Sequence, residues 1–442
     1  MRAAILRLLV TLLLSGAVVN ALAGGAAWAQ RIDWGIDRPG DALSNDQRNR
    51  VQQLLGELRS PRCDSEKRRK IADEILALGR PGARRLGPAT ETLLGTQREK
   101  YYAAFHQQAG TLSDQRLKQA DKERLRTWRQ EVNSLRNEGK FTSENVHSQV
   151  GPAVENLRKT LTVTPREVLE SSKDLEPLRQ VVLDLGEILQ RCRETLAAPP
   201  GEGQAGKSDP SKQDGGKGAE SNDEGGQPAA TKAGNDNPAE TRPVKDKAAS
   251  PPKGDKPAVP SKGDKPAPPP PAAPPPPAAP PPPAMEFAKL LDFDEQMIAA
   301  MVLPTTSANA RVLIDNFRLR HRIEPEEALG LADLNVIRVL LGLSAVRVDV
   351  ALCRAARDHC KDMHEKQFFS HASPVPGKAS PWDRARRAGT SAGAENIAAG
   401  TRSGKGAIAM WLFSPGHLAN MLGGHSRAGL GGYQGKWTLM MG

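Results

Sequence analysis

The chain has 442 residues, 38% hydrophobic and 4% aromatic, with 41 glycines, 36 prolines and a net charge of +11. A sizeable part of such a chain cannot bury enough apolar surface to offset the entropy of ordering it. The positive charge does not imply nucleic acid: there is no zinc-finger spacing, no RNP-type aromatic motif and no basic stripe interleaved with aromatics.

The N-terminus reads as an export signal. Arg2 and Arg7 precede an apolar run from Leu8 to Val19, and Ala27-Trp28-Ala29 before Gln30 forms an A-x-A cleavage pattern. This assigns residues 1–29 to a signal peptide. The competing reading is a retained anchor, since low polarity persists to Ala29. No other segment is long and apolar enough to span a bilayer, so a secreted, periplasmic or cell-envelope protein without a membrane span after cleavage is expected.

Residues 30–197 read as a helical region of unassigned role. Val51, Leu54, Leu55 and Leu58 have helical spacing, as do Ile71, Ile75 and Leu78, with Gly79 and Pro81 as stop signals. Thr96 to Gly139 is charge-rich with few apolar anchors, which predicts a loose bundle. Leu178, Val181, Leu185, Ile188 and Cys192 form one apolar seam. Cys63 and Cys192 can pair only if their helices pack, and the sequence leaves this open. Cys353 and Cys360 fall on one helix about 10.5 Å apart, too far for a bridge, and read as small buried hydrophobes.

Residues 198–284 read as a disordered linker, holding 23 of the 36 prolines and no aromatic residue. Pro266 to Ala284 favours polyproline II, a stiff spacer of about 60 Å. The expectation is two bodies that need not touch. Residues 285–325 return to helical patterning, as a lead-in to the last region.

That region, residues 326–442, begins with an amphipathic helix carrying Leu331, Leu334, Ile337, Arg338 and Leu341, closed by Gly342. Asp349 is a plausible N-cap for a helix carrying Leu352, Cys353, Ala356, His359, Cys360 and Met363. A turn at Phe369-Ser370-His371 follows, then a Pro/Gly-rich loop in which Asp383 and Arg384 shape the chain, and a short strand at Ala394–Ala398. After a helix to Phe413 and a helical turn from His417, Gly429–Tyr433 and Trp437–Met441 form a hairpin turning at Gln434-Gly435. The Gly-rich strands imply close backbone approach. The whole is an α+β, three-layer sandwich around a small antiparallel sheet.

Phe369-Ser370-His371, Glu395-Asn396-Ile397-Ala398 and Ser414-Pro415-Gly416-His417 occur in that order, with spacings of 24 and 22 between the key positions His371, Glu395 and His417. With Leu334-Asn335, Arg338, Asp349, His359, Asp362-Met363, Trp411 and Asn420, they resemble the bacterial branch of the CAP superfamily (cysteine-rich secretory proteins, antigen 5 and pathogenesis-related 1 proteins). The resemblance implies an αβα sandwich with a cleft lined by two histidines and two glutamates. The histidines fall on His371 and His417 and one glutamate on Glu395; Ser414 stands where the second glutamate would be. In several members the histidines hold a divalent metal, so His371, Glu395 and His417 become a candidate ligand set for an ion such as Zn2+. The resemblance further implies a non-catalytic extracellular binding module for a cation, a lipid or another small apolar or cell-surface ligand. The alternative is a metal-assisted hydrolase of peptide or cell-wall substrates. The absent second glutamate removes a candidate general base and favours binding. Oligomeric state is not legible.

Overall fold

The computed structural model describes Trp34, residues 43–198 and residues 287–442. The export segment 1–29 and the proline-rich stretch 199–284 lie outside the described residues.

The first part is helical. In α1 (Asn45–Leu58) Ser44 and Gln47 form a reciprocal capping box, which satisfies two N–H groups that the helix itself leaves unpaired. Asp64 caps α2 (Ser65–Leu76) by accepting from the Lys67 N–H. Gly79, at φ 68°, and Pro81, in the first turn of the next helix, turn the chain into α3 (Arg80–Gln119). The residues read as stop signals thus also start a helix. α3 carries the charge-rich stretch, yet it is anchored by Leu94, Tyr101, Tyr102, Phe105 and Ala109, all buried. α4 (Lys122–Asn137) follows, then a π-turn at Val146–Val150, α5 (Gly151–Leu161), α6 (Pro165–Glu170) and α7 (Leu175–Ala197). α7 packs along α3. Cys63 and Cys192 are buried free thiols, so the pairing left open by the sequence is not made. Burial raises the pKa of both, that of Cys192 to about 12.

The second part opens with α8 (Phe287–Met301) and α9 (Ser307–Leu319), then continues through α10 (Pro325–Leu340), β1 (Arg347–Val348), α11 (Val350–Glu365) and α12 (Pro381–Arg387). β2 (Ala394–Ala399), α13 (Gly404–Leu412), α14 (Pro415–Met421), β3 (Arg427–Tyr433) and β4 (Lys436–Met441) complete it. The sheet order is β1-β3-β4-β2. β1 runs parallel to β3, while β3–β4 and β4–β2 are antiparallel. The expected all-antiparallel sheet is therefore corrected to a mixed one; the chain from α11 to α14 supplies the long crossover a parallel pair requires. The hairpin turns at Gln434 (φ 47°) and Gly435 (φ 75°), the two positive dihedrals of a two-residue type I′ loop.

Layering follows from contacts on β3. A Cβ on Gly429 would lie 2.3 Å from the backbone N of Cys353, and one on Gly431 2.1 Å from that of Arg357. α11 therefore rests directly on that face. Leu430, between them, faces the other way, since a Cβ on Gly330 of α10 would meet its Cδ2 at 2.3 Å. Alternation along the strand thus places α11 and α10 on opposite sides, giving three layers. Cys353 and Cys360 are buried in α11, as the helical spacing predicts. Arg338 ties α10 to the far end of the domain: Nε donates to Ser344 O (2.9 Å), and Nη1 to Met421 O (2.7 Å) and Gly423 O (2.9 Å).

The expectation of two bodies that need not touch does not hold. The described residues on both sides of the proline-rich stretch belong to one compact unit. α8 explains why. It buries Leu291, Phe293, Asp294, Glu295, Met297 and Ile298, more of its surface than one neighbour can cover. It contacts α3, α6 and α7 as well as α9 and α10. Tyr102 Oη donates to Asp294 Oδ2 at 2.5 Å and Tyr101 Oη to Glu295 Oε1 at 2.6 Å. Arg179 Nε reaches Glu295 Oε1 at 2.8 Å, and Arg158 pairs with Asp333 at 2.8 Å. Arg129 and Asn133 of α4 donate to Leu340 O (2.6 Å) and Leu341 O (3.1 Å), which caps the carbonyl end of α10. Among the described residues no helix is long and apolar enough to cross a membrane.

Candidate functional site

The candidate site is organised around β2, the edge strand. Its register pairs Glu395 with Met440 and Asn396 with Leu439. Met440 packs with Leu352, Ala355 and Ala356 of α11 and Ala385 of α12, so Glu395 projects toward that layer and Asn396 toward the other. The unpaired carbonyls of the edge are taken up by side chains. Asn420 Nδ2 donates to Glu395 O (3.3 Å) and Trp411 Nε1 to Ile397 O (3.0 Å), which removes acceptors an exposed edge would otherwise offer.

Both oxygens of the Glu395 carboxylate are engaged. Oε1 accepts from His371 Nδ1 at 2.9 Å, and Oε2 accepts from Arg384 Nη2 at 2.6 Å. The Glu395 side chain is 2% exposed while that of His371 is 52% exposed. A carboxylate only accepts, so His371 carries a proton on Nδ1, and in its neutral form Nε2 holds a lone pair free for a ligand. Arg384 is buried against the same group. It also donates to His371 O (3.1 Å) and Lys378 O (3.0 Å). It is delivered by α12, whose first turn is fixed by a capping box between Ser380 and Asp383. Arg386 and the Ser380 bonds hold Asp383 below the usual carboxylate range, with the Ser380 bonds the larger cause.

His417 stands on α14, the other helical layer. Its carbonyl accepts from Asn396 Nδ2 at 3.0 Å, and Asn396 Oδ1 accepts from Asn420 at 2.9 Å. These two asparagines link α14 to the strand that carries Glu395. The ring of His417 packs 6.4 Å from that of Trp411. Burial, then the charge of His371, lowers the pKa of His417, which favours a neutral imidazole at neutral pH. Ser414, at the position of the absent glutamate, is the N-cap residue of α14 and makes no side-chain cap. His425 lies against Gly393 and Gly423 and takes no part in the His371–Glu395–Arg384 network.

The local sequence matches a known family here. Residues 331–436 match the family model of CAP, the cysteine-rich secretory protein family. This part of the chain is a CAP domain. It is 36% identical over 90 residues to Bacillus subtilis (strain 168) uncharacterized protein YkwD, covering 20% of this chain and 34% of that protein. A solved structure of an extracellular protein containing a SCP domain from Bacillus anthracis str. Ames is 28% identical, covering 28% of this chain and 42% of that chain, with a TM-score of 0.26. The chain thus spans well under half the length of either relative.

The fold joins two of the three residues expected from sequence by a direct bond, His371 and Glu395, and connects the third through Asn396 and Asn420. As a metal-ligand set the three do not fit. Each oxygen of Glu395 already has a protein partner, Arg384 on one and His371 on the other. Among the described residues no group of three or more His, Cys, Asp or Glu side chains is placed to hold a metal. The two imidazoles that remain are one short of the three protein ligands usual in an open zinc site. Arg384 was legible only as a loop-shaping residue, and the asparagine struts had no short-range signal. The one available hint was Ser380-Pro-Trp-Asp383, a helix start that fixes the orientation of the next residue.

Proposed function

We propose that the protein works outside the cytoplasm as a non-catalytic binding module. Its CAP cleft takes an electron-poor group of a small or cell-surface ligand on the imidazoles of His371 and His417. The observation that carries this reading is the double engagement of Glu395 by His371 and Arg384. It leaves imidazole nitrogens, and no free carboxylate, to meet a ligand. A general base must reach the proton it takes, and both oxygens of Glu395 are already turned to partners within the protein. Export is supported by the Arg2-to-Ala29 pattern.

The electron-poor group is the hydrogen of a hydroxyl or ammonium group, since two imidazoles without the carboxylate do not complete a divalent-cation site. Thermal-shift titration of the full chain with N-acetylglucosamine oligomers and with phospholipid vesicles separates the sources of such a group, and zinc is expected to give no shift. A ligand at a hundred times its dissociation constant stabilises the fold by about 2.7 kcal/mol. The shift is expected to vanish in His371→Ala and His417→Ala. A shift that survives both substitutions, or turnover of a peptide or glycan substrate lost in Glu395→Gln, would refute the reading.

A further inference from the structure

His371 combines a half-exposed side chain with a backbone that is held from two sides. It lies in the irregular segment between α11 and α12. The carbonyl of Ser370 accepts from His359 Nε2 at 3.1 Å, and the carbonyl of His371 itself accepts from Arg384 Nη2 at 3.1 Å. Two consecutive peptide oxygens are thus fixed by two buried side chains. Arg384 has a second task, neutralising Glu395. His359 has none.

His359 is fully buried on α11, with the ring of Phe368 5.9 Å away. The Ser370 carbonyl only accepts, so the proton sits on Nε2. Burial, then the nearby Arg384 charge, pushes the pKa down to about 4, so the ring is neutral and Nδ1 is an acceptor. That Nδ1 is buried and has no hydrogen-bond partner. A stranded buried acceptor is destabilising, and an aliphatic side chain would fill this space without that cost. What the imidazole supplies, and a leucine could not, is the bond to Ser370.

We propose that His359 is a positioning residue for His371: by fixing the Ser370 carbonyl it sets the turn from which the His371 imidazole meets Glu395 and keeps Nε2 available to the ligand. The proposal rests on the reading of His371 as a ligand contact. Its function is preorganisation, which lowers the ordering cost of binding without touching the ligand.

Two substitutions in the full chain test it, read by the nitrogen chemical shifts of 15N-labelled imidazoles, which report the tautomer of each histidine. In His359→Gln the amide nitrogen reaches about as far as Nε2 and still donates to Ser370. His371 is expected to keep its single Nδ1–H tautomer. In His359→Leu the space is filled but the donor is lost. The His371 signal is expected to become a tautomer mixture, and the affinity for whichever probe binds the wild type to fall roughly tenfold, as for other orienting partners of a binding histidine. Should the leucine variant not fold, His359→Asn, too short to reach Ser370, carries the same expectation. A His371 tautomer unchanged in the leucine or asparagine variant overturns the proposal. Because the tautomer is read without ligand, loss of the tautomer with no probe binding in any variant would count against the binding reading alone.

Discussion

Cutting the chain within residues 199–286 is expected to leave residues 43–198 bound to residues 287–442 as one particle. A proline-rich stretch of this composition suggests a spacer between independent bodies, but the contacts across it are those of a protein interior. Asp294 is fully buried, with Tyr102 Oη at 2.5 Å and Arg320 Nη2 at 3.1 Å. Glu295, also buried, accepts from Tyr101 and Arg179. The ring of Phe287 fills the space over Gly186, and that of Phe413 the space over Gly151, where a Cβ would approach them to 2.2 and 2.3 Å. A specific protease sequence placed in the stretch, followed by cleavage and size-exclusion chromatography, should give co-eluting fragments. Separate elution of the two pieces would refute the single body. Asp294→Ala should undo the association, because removing one partner leaves Arg320 charged and unpaired in a dry interface, at a cost of about 3–5 kcal/mol. Asp294→Asn, which keeps the shape and accepts one bond, should be milder.

Acid should destabilise the fold through two histidines, His359 buried and His321 largely so, well before most carboxylates titrate. Burial is the largest cause of the pKa of about 4 at both His321 and His359, against an ordinary 6.5. A base whose pKa is lower in the folded state binds its proton more readily when unfolded. Its contribution is therefore complete above pH 6.5 and is lost as the pH falls from 6.5 to 4. Each shift corresponds to about 3 kcal/mol at the low end of that window. His106, His417 and His425 are shifted in the same sense. Glu295, Glu327 and Asp333, whose pKa values burial raises, act in the opposite one. The histidine part is isolated by comparing urea unfolding of the wild type and the double variant His321→Asn, His359→Gln at pH 7 and pH 4. The wild type should lose about 6 kcal/mol more than the variant over that range. Equal losses would show that the two rings do not carry the effect.

Local patterns determined much of this protein. The hairpin at Gln434-Gly435, the N-cap at Asp349, the close approach at Gly429 and Gly431, and the CAP resemblance of the last quarter were all readable, because each depends on residues close in sequence or on motif order. The burial of Cys353 and Cys360 followed from helical spacing alone. Tertiary structure decided the rest. Whether Cys63 meets Cys192, whether α8 packs on α3, and that β1 runs parallel to β3 depend on partners 80 to 194 residues apart, which no local period encodes. The same holds for the cleft. Sequence supplied His371, Glu395 and His417 as residue types, but not that Arg384 would neutralise the carboxylate or that His359 would grip Ser370. A carboxylate is a ligand, a base or a strut according to which charges surround it once the chain has folded, and the charge beside Glu395 of β2 comes from Arg384 of α12.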